Sequence, residues 1–341
     1  MSASRVFHRV AITGGAGYVG SALVPALLEA GYEVSVLDLF LYGEEVFDGV
    51  RGHPALRLIK LDIRDEQALT SALQGAEAVI HLACISNDPS FELDSRLGKS
   101  INYDAFLGLL RALKANDVRR FIYASSSSVY GVKEQPDVRE ETPCEPLTDY
   151  SRYKWLCEEA LKTDGLNSCE WVIVRPATVC GYAPRLRLDL TVNILTIHAL
   201  VNQRITVFGG GQLRPNLNIN DMVAVYRLLL EAPRAALRGQ IFNVGYQNRT
   251  VQELAELVYQ QVGNPDVQIE VQPTSDLRSY HINSDRIAAA LGFTPRWTIE
   301  DAIQSLCAAY RAGRIPEPLT HPRYYNINMM QTHKLEEQLV R

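Results

Sequence analysis

Length, composition and charge predict a soluble globular protein. The chain has 341 residues, of which 47% are hydrophobic and 21% charged, and its formal net charge is −5. This balance gives no electrostatic reason to expect a nucleic acid or an anionic membrane as partner. No apolar run approaches the ~18 residues of a membrane span, and no signal-peptide core precedes the first strand pattern. The six cysteines form neither a CxxC pair nor a metal-like cluster. We therefore expect a cytoplasmic protein with reduced thiols and no metal site.

Up to residue 175, short apolar runs alternate with helical patterns. The apolar runs are Val10–Thr13, Val34–Asp38, Leu56–Leu61, Ala78–Leu82, Phe121–Ala124 and Trp171–Arg175, and the helical patterns are Val19–Ala30, Gln67–Leu73, Ile101–Ala115 and Ser151–Leu161. Buried apolar strands that alternate with helices are typical of a parallel sheet covered on both faces. The sequence therefore predicts an α/β fold built on such a sheet.

After residue 175 the alternation of apolar runs and helical patterns breaks. Proline, arginine and glycine punctuate residues 176–215, which predicts a loop-rich cap, and a strand-helix pattern returns at Ile241–Val244 and Val251–Val262. Residues 315–341 show little periodicity beyond a short helix, and we expect them to pack as a tail. We predict a sheet domain from residues 1–175 with about 216–247, and a smaller lobe with its tail from residues 176–215 and 248–341.

The first strand pattern runs into the glycine-rich stretch TGGAGYVG, residues 13–20. Gly15, Gly17 and Gly20 form a GxGxxG motif with Gly14 as an additional glycine. A tight turn, a close backbone approach to a pyrophosphate and close helix–strand packing each exclude a side chain. The helix N-terminus then offers free N–H groups to the phosphates. The predicted dinucleotide contacts of this loop are Gly14, Gly15, Gly17, Tyr18, Val19 and Gly20.

Asp38 ends the second strand pattern, at the spacing expected of a carboxylate that binds the adenosine ribose hydroxyls. The next three residues are Leu39, Phe40 and Leu41, so no arginine or lysine follows. A 2′-phosphate would be repelled by Asp38 without compensation. The sequence therefore favours NAD over NADP.

Tyr150 and Lys154 lie four residues apart in TDYSRYK, which places both side chains on one face of a helix. A tyrosine phenol has a pKa near 10, and a neighbouring ammonium or a positively charged nicotinamide would lower it. We expect Tyr150 to act as a proton acceptor near neutral pH and Lys154 to bind the nicotinamide ribose.

These stretches, together with HLAC (His81–Cys84) and SSSSVYG (Ser125–Gly131), resemble the extended short-chain dehydrogenase/reductase family, in its nucleotide-sugar epimerase/dehydratase group. The resemblance implies a Rossmann-type doubly wound parallel sheet with a smaller C-terminal substrate-binding lobe and bound NAD. It also implies a Ser-Tyr-Lys triad of Ser126, Tyr150 and Lys154. Further cofactor contacts are predicted at Asp62, Ile63, Leu82 and Ala83.

The serine run bears on the reaction. Family members that remove water usually carry Asp-Glu, or a lone Glu, at the positions of Ser127 and Ser128. Dehydration needs an acid for the departing hydroxyl and a base for a carbon-bound proton, and a serine hydroxyl supplies neither. The run therefore disfavours a 4,6-dehydratase and resembles the pattern of 4-epimerases. Alternatively, Ser127 and Ser128 merely fill a tight strand end.

Substrate contacts are predicted over both halves of the chain. Two arginines, Arg214 and Arg278, match family positions that bind the substrate diphosphate, where guanidinium groups bind phosphate oxygens in bidentate fashion. Pro215 and Asn218 replace the aspartate and histidine usual near the first of them. The remaining predicted contacts are Ser86, Asn87, Ser127, Ser128, Asn193 and Val207.

We therefore predict an NAD-dependent nucleotide-sugar epimerase, acting at C4 through a 4-keto intermediate. The stretch APRLRLDLTVN (residues 183–193) adds Arg185 and Arg187 near the expected diphosphate or base. It looks like a branch that includes GDP-heptose 4-dehydrogenases, so a 4-dehydrogenase or 4-ketoreductase is the alternative. A further alternative function is that of a non-catalytic NAD-binding sensor. Relatives are commonly homodimers through the helices that hold Asn102 and Tyr150. The apolar residues Phe106, Leu109, Leu110 and Leu113 suit such an interface or an ordinary core.

Overall fold

A parallel sheet of seven strands forms the centre of the molecule. The computed structural model describes residues 6–86, 88–133, 135, 137–163, 166, 168–274, 279 and 281–333. The predicted substrate contacts Asn87 and Arg278 lie outside these described residues. Within them, no helix has the length and hydropathy needed to cross a membrane.

The regular elements are numbered in chain order. The strands are β1 (Arg9–Thr13), β2 (Glu33–Asp38), β3 (Leu56–Lys60), β4 (Ala78–His81), β5 (Arg120–Ala124), β6 (Glu170–Pro176), β7 (Thr178–Cys180), β8 (Arg204–Phe208), β9 (Leu213–Asn218), β10 (Gln240–Val244), β11 (Gln247–Thr250) and β12 (Gln268–Gln272). The helices are α1 (Tyr18–Glu29), α2 (Glu66–Ala72), α3 (Asp88–Glu92), α4 (Ser95–Lys99), α5 (Ala105–Ala115), α6 (Asp149–Thr163), α7 (Thr191–Asn202), α8 (Ile219–Glu231), α9 (Arg234–Leu237), α10 (Val251–Val262), α11 (Asp285–Leu291), α12 (Ile299–Arg311) and α13 (Asn326–His333).

The strand order of the central sheet is β3-β2-β1-β4-β5-β6-β10, and each pairing in it is parallel. Every apolar run predicted before residue 176 is a strand of this sheet. The runs are largely buried between two helix layers, except for the edge strand β3, which is partly exposed. The order reverses between β1 and β4, which is the signature of a doubly wound fold. The predicted Rossmann-type α/β fold is confirmed.

Two apolar cores cover the two faces of the sheet. On one face α1 packs against α8, and on the other α5 packs against α2 and α6. The four apolar residues of α5 (Phe106, Leu109, Leu110 and Leu113) are at most 2% exposed and belong to the second core. They are therefore core residues of one chain and do not form an exposed face for a partner.

The segment after β6 differs from its prediction. Residues 176–215, expected as a loop-rich cap, contain β7, α7, β8 and the start of β9. Helices α7, α10 and α12 pack around β8 and enclose a third apolar core. The strand pairings are β11-β9-β7 in one small sheet and β12-β8 in another. The strands and helix of residues 176–215 form through contacts with residues 251–307. The positions of proline and glycine in the sequence do not indicate such contacts.

Residues 315–333 pack against the rest of the chain. The chain turns through Pro322–Tyr324 and ends its described part in α13. Leu188 N donates to the carbonyl of Tyr324 at 2.9 Å, and Tyr324 and Ile315 share an apolar cluster with Leu186. This segment therefore lies against the loop that follows β7, close to the carboxyl edge of the central sheet.

Candidate active site

A deep cavity opens at the carboxyl edge of the central sheet, where the strand order reverses and ligands of doubly wound folds bind. We call it the glycine-loop cavity. Among the residues that line it are Gly14, Gly17, Tyr18, Val19, Gly20, Asp38, Asp62, Ile63, Leu82, Ala83, Ser86, Ser126, Ser127, Ser128, Tyr150 and Lys154. The structure therefore brings most of the predicted cofactor and catalytic residues to one place.

The glycine loop leaves no room for side chains. Gly14 has a φ of +72°, and a Cβ there would lie 2.4 Å from the backbone nitrogen of Ala83. A Cβ on Gly20 would lie 2.3 Å from the carbonyl oxygen of Gly15. Gly15 itself packs on Val36 beneath the loop. The loop thus presents bare backbone to the cavity at the start of α1, which fits the pyrophosphate of a dinucleotide.

Asp38 is held by the backbone around it. Its two carboxylate oxygens accept hydrogen bonds from Ala16 N at 2.9 Å and Phe40 N at 2.8 Å. Burial raises the pKa of Asp38, while these backbone hydrogen bonds lower it. The carboxylate keeps unused lone-pair directions on the cavity side, which suits it to accept hydrogen bonds from two ribose hydroxyls.

The serine run divides its hydroxyls between two directions. Ser125 lines the cavity, but its hydroxyl donates to the buried Glu158 at 2.5 Å. Ser126 Oγ accepts from Ser128 N at 3.1 Å and from Ser128 Oγ at 2.8 Å. Ser126, Ser127 and Ser128 all line the cavity. Ser125 therefore anchors the strand end, and Ser126 stays available to a ligand.

Tyr150 and Lys154 lie on α6 with both side chains on the cavity. Burial raises the pKa of Tyr150, and a hydrogen bond with Ser126 lowers it. The ammonium of Lys154 donates to the carbonyl of Ala124 at 2.7 Å. Desolvation outweighs the groups that lower the pKa of Tyr150, so the predicted lowering is not seen among the described residues.

A second cavity, which we call the arginine cavity, adjoins the first. Arg214 lines it, and Asp88, Ser128, Thr178 and Leu190 line both cavities. The two spaces therefore meet beside the serine run, so one molecule in the arginine cavity can reach Ser126 and Tyr150.

Carboxylates near this junction already have partners. Thr148 Oγ1 donates to Asp88 at 2.5 Å, and Arg187 Nε donates to Asp189 at 2.7 Å. Asp62, at the other end of the glycine-loop cavity, is paired with Arg64 at 2.6 Å. No cluster of three or more His, Cys, Asp or Glu side chains suited to a metal ion occurs in the described ranges.

Two predicted substrate contacts do not reach either cavity. The amide of Asn193 accepts from Gly181 N and donates to Arg187 O and to the hydroxyl of Tyr18, so it is used up inside the fold. Val207 is fully buried in the core around β8. Both residues lie in stretches that resemble substrate-binding segments of the family. Their side chains, however, form hydrogen bonds or packing contacts inside the fold.

Some cavity residues were not predicted. Arg185 and Arg187, in the loop after β7, were expected near the substrate and do line the glycine-loop cavity. Asp189 in the same loop, and Asn326 and Met330 of α13, were not predicted. Nothing in the local sequence of α13 indicates that it reaches a cavity whose glycine loop lies more than 300 residues earlier.

The chain resembles known proteins over nearly its whole length. The model of the NAD-dependent epimerase/dehydratase family matches residues 10–245. A dTDP-glucose 4,6-dehydratase of Streptomyces niveus is 27% identical, over 92% of this chain and 96% of that protein. A UDP-glucose 4-epimerase of Corynebacterium glutamicum is also 27% identical, over 86% of this chain and 94% of the relative. Among solved structures, DesIV, a dTDP-glucose 4,6-dehydratase from Streptomyces venezuelae with NAD bound, superposes with a TM-score of 0.83 and 23% identity, covering 92% of this chain and 100% of that one.

Proposed function

Because the chain belongs to the NAD-dependent epimerase/dehydratase family, we propose that it is a nucleotide-sugar 4-epimerase acting through a 4-keto intermediate. The family membership confirms the predicted resemblance to extended short-chain dehydrogenase/reductases and the NAD cofactor. The epimerisation, the C4 position and the roles of individual residues are our proposal.

One observation carries the proposal. Ser126 and Tyr150 lie side by side where the glycine-loop cavity meets the arginine cavity. A nucleotide sugar whose diphosphate is bound near Arg214 would extend its sugar to these two hydroxyls. Neutral side chains suffice there, because oxidation of a secondary alcohol needs a proton acceptor at oxygen and no acid for a leaving group.

The residues of the chain would work on the sugar oxygen. NAD, when bound, supplies an acceptor and then a donor of hydride at the C4 carbon. Tyr150 would take the proton of the C4 hydroxyl and later return it, while Ser126 holds the oxygen by a hydrogen bond. Lys154, fixed on the carbonyl of Ala124, would orient the ribose of the cofactor. The keto sugar would turn between the two hydride transfers, so that the second one reaches the other face.

A 4,6-dehydratase is the second candidate, favoured by one feature of the site. Asp88 lines both cavities and is a carboxylate close to the serine run, which itself carries none. An acid at this place would be needed to remove a hydroxyl group. Asp88 already accepts a hydrogen bond from Thr148, so we place epimerisation first.

The test is a panel of UDP-, GDP-, CDP-, ADP- and dTDP-sugars incubated with the purified protein and followed by NMR. Epimerisation predicts a new epimer without added cofactor and without change in the absorbance of NADH. A 4-keto-6-deoxy product would assign the dehydratase, and NADH formed or consumed in proportion to substrate would assign a net 4-dehydrogenase or 4-ketoreductase.

Tyr150→Phe should lose at least ~100-fold in kcat, since proton transfer typically contributes 10²–10⁴, and keep its NAD. Tyr153→Phe is the matched control on the same helix, where the ring packs against Phe91 and Tyr103. Equal activity in the two variants would contradict the role of Tyr150.

A further inference from the structure

Arg185 is a buried cation on the wall of the glycine-loop cavity. Arg185 is only 3% exposed to solvent. The guanidinium lies over the ring of Tyr42, 3.7 Å from its centre, and one terminal nitrogen donates to the side-chain oxygen of Asn326. Its Nε has no hydrogen-bond partner among the described residues. The guanidinium of Arg185 therefore keeps a donor, its Nε–H, to which no described residue binds.

Arg185 has no direct ion pair within the described ranges. Asp189 is paired with Arg187, and the carboxylate of Asp38 accepts backbone hydrogen bonds. Both carboxylates are close enough to interact with the charge of Arg185, but neither contacts its guanidinium. A buried guanidinium without a direct ion pair is unfavourable, so an anion bound in this cavity would stabilise it.

The start of α1 supplies a second source of positive potential on the same wall. The backbone N–H of Arg185 donates to Ser21 Oγ in the first turn of α1 at 3.1 Å. Gly17 and Tyr18, where the helix begins, line the cavity with Arg185. Free N–H groups and the helix dipole favour an anion at this end of a 12-residue helix. The two features together select a phosphate group.

Asn326, at the start of α13, connects Arg185 to the opposite wall. Its side-chain oxygen accepts from Tyr42 Oη at 3.0 Å and from Arg185. Its amide nitrogen donates to Ser86 O at 3.1 Å and Ser86 Oγ at 2.9 Å. One turn further on, Met330 lines the same cavity. Helix α13 therefore closes one side of the glycine-loop cavity.

We propose that Arg185 binds the pyrophosphate of NAD, and that Asn326 fastens α13 over the cavity so that the cofactor is retained between turnovers. The inference rests on the proposed binding of NAD in this cavity, and it is independent of which reaction the enzyme catalyses. Retention is what an epimerase requires, since its cofactor is restored in every cycle.

The first experiment measures thermal unfolding of protein freed of dinucleotide, with and without added NAD. Arg185→Met should leave the midpoint without NAD unchanged or higher, because a lone buried charge is removed, and should weaken NAD binding by ~10- to 100-fold, the range expected for charge-assisted hydrogen bonds. Arg185→Lys, which keeps the charge without the fork, should lie between. Arg311→Met, at an exposed position, is the control.

If NAD raises the unfolding midpoint of Arg185→Met as much as that of the wild type, the proposal is overturned and Arg185 is a structural residue. A loss confined to NADP⁺ would assign Arg185 to a 2′-phosphate and would overturn it too.

The second experiment measures the exchange of bound NAD for deuterated NAD by mass spectrometry, without any sugar substrate. Asn326→Ala should exchange at least ~10-fold faster than the wild type and remain folded. Gln331→Ala, exposed on the same helix, should exchange at the wild-type rate. Equal exchange in Asn326→Ala and wild type would overturn the role of α13. Because no turnover is involved, a failed epimerase assay leaves this result intact.

Discussion

Gly20 faces the carbonyl of Gly15 so closely that any side chain would collide with it. We predict that Gly20→Ala weakens NAD binding by at least ~10-fold, because the loop must move away from the position in which its N–H groups meet the phosphates. Titration of NAD by calorimetry measures the change. Gly52→Ala is the control, since nothing lies within 4 Å of the added carbon. Equal affinities in the two variants would contradict this reading of the loop.

His81 is buried at the carboxyl end of β4, with Nδ1 2.6 Å from Thr13 Oγ1. Burial lowers the pKa of His81 to about 3, whereas an unfolded histidine has a pKa near 6.5. Below pH 6.5 the unfolded chain therefore binds a proton that the folded chain refuses, and stability falls as the pH falls towards 3.

Between pH 7 and pH 5 this effect should cost about 2 kcal/mol of unfolding free energy. His81→Gln should lose that part of the pH dependence, measured by guanidinium unfolding at the two pH values. His53→Gln, at an exposed position, should retain it. A steep pH dependence that persists in His81→Gln would place its origin elsewhere.

The residues that sequence reasoning found are those whose role is local. The glycine loop, Asp38, Ser126 and the Tyr150–Lys154 pair each belong to one strand end or one helical turn, and the structure brings them to one cavity. The predicted contact Asn193 does not line this cavity, because its amide bonds to Tyr18, 175 residues away, and to Gly181 and Arg187. No local pattern reports how a polar side chain is shared between distant segments.

At the scale of elements, a buried ion pair joins β6 to α6. Arg175 donates to Glu158 through two nitrogens at 2.6 and 3.0 Å, both side chains are at most 2% exposed, and Ser125 donates to the same carboxylate. The pair therefore fixes the end of β5, which carries Ser126, against the helix that carries Tyr150.

Removing one partner of a buried pair typically costs 3–5 kcal/mol because the other charge is left stranded. We predict that Glu158→Ala lowers the free energy of unfolding by about that amount and reduces kcat. Denaturant unfolding and steady-state kinetics measure the two effects. Glu159→Ala, whose pair with Lys162 is half-exposed, should change stability by less than about 1 kcal/mol. Similar losses in both variants would remove the special role of the buried pair.

Strands β1 to β6 and helices α1, α2 and α6, which have their own apolar periodicity, were predicted within two residues. The helical pattern from Ile101 begins four residues before α5, and α3 and α4 were not predicted. Elements of residues 176–215 were not, because α7 gains its buried face only when α10 and α12 pack on it. A short helix within residues 315–341 was expected, and α13 is such a helix, but its local pattern does not indicate that it contacts the cavity.

On the scale of the whole molecule, both halves of the chain build the site. The first half supplies the glycine loop, Asp38 and the predicted catalytic residues, and the second supplies Arg185, Arg214 and α13. The predicted homodimer and the cytoplasmic location stay predictions. The apolar residues of α5, buried within one chain, lend the dimer no support.

The position of α13 has a consequence for biogenesis. Residues 315–333 are synthesised after every strand of the central sheet, so the nascent chain passes through a stage in which the glycine loop is complete and its pocket still lies open. Under the retention mechanism, NAD would enter at that stage and be trapped as the last segment docks. The dinucleotide content of the purified enzyme would then record the nucleotide pool of the cell that made it, rather than that of the buffer around it.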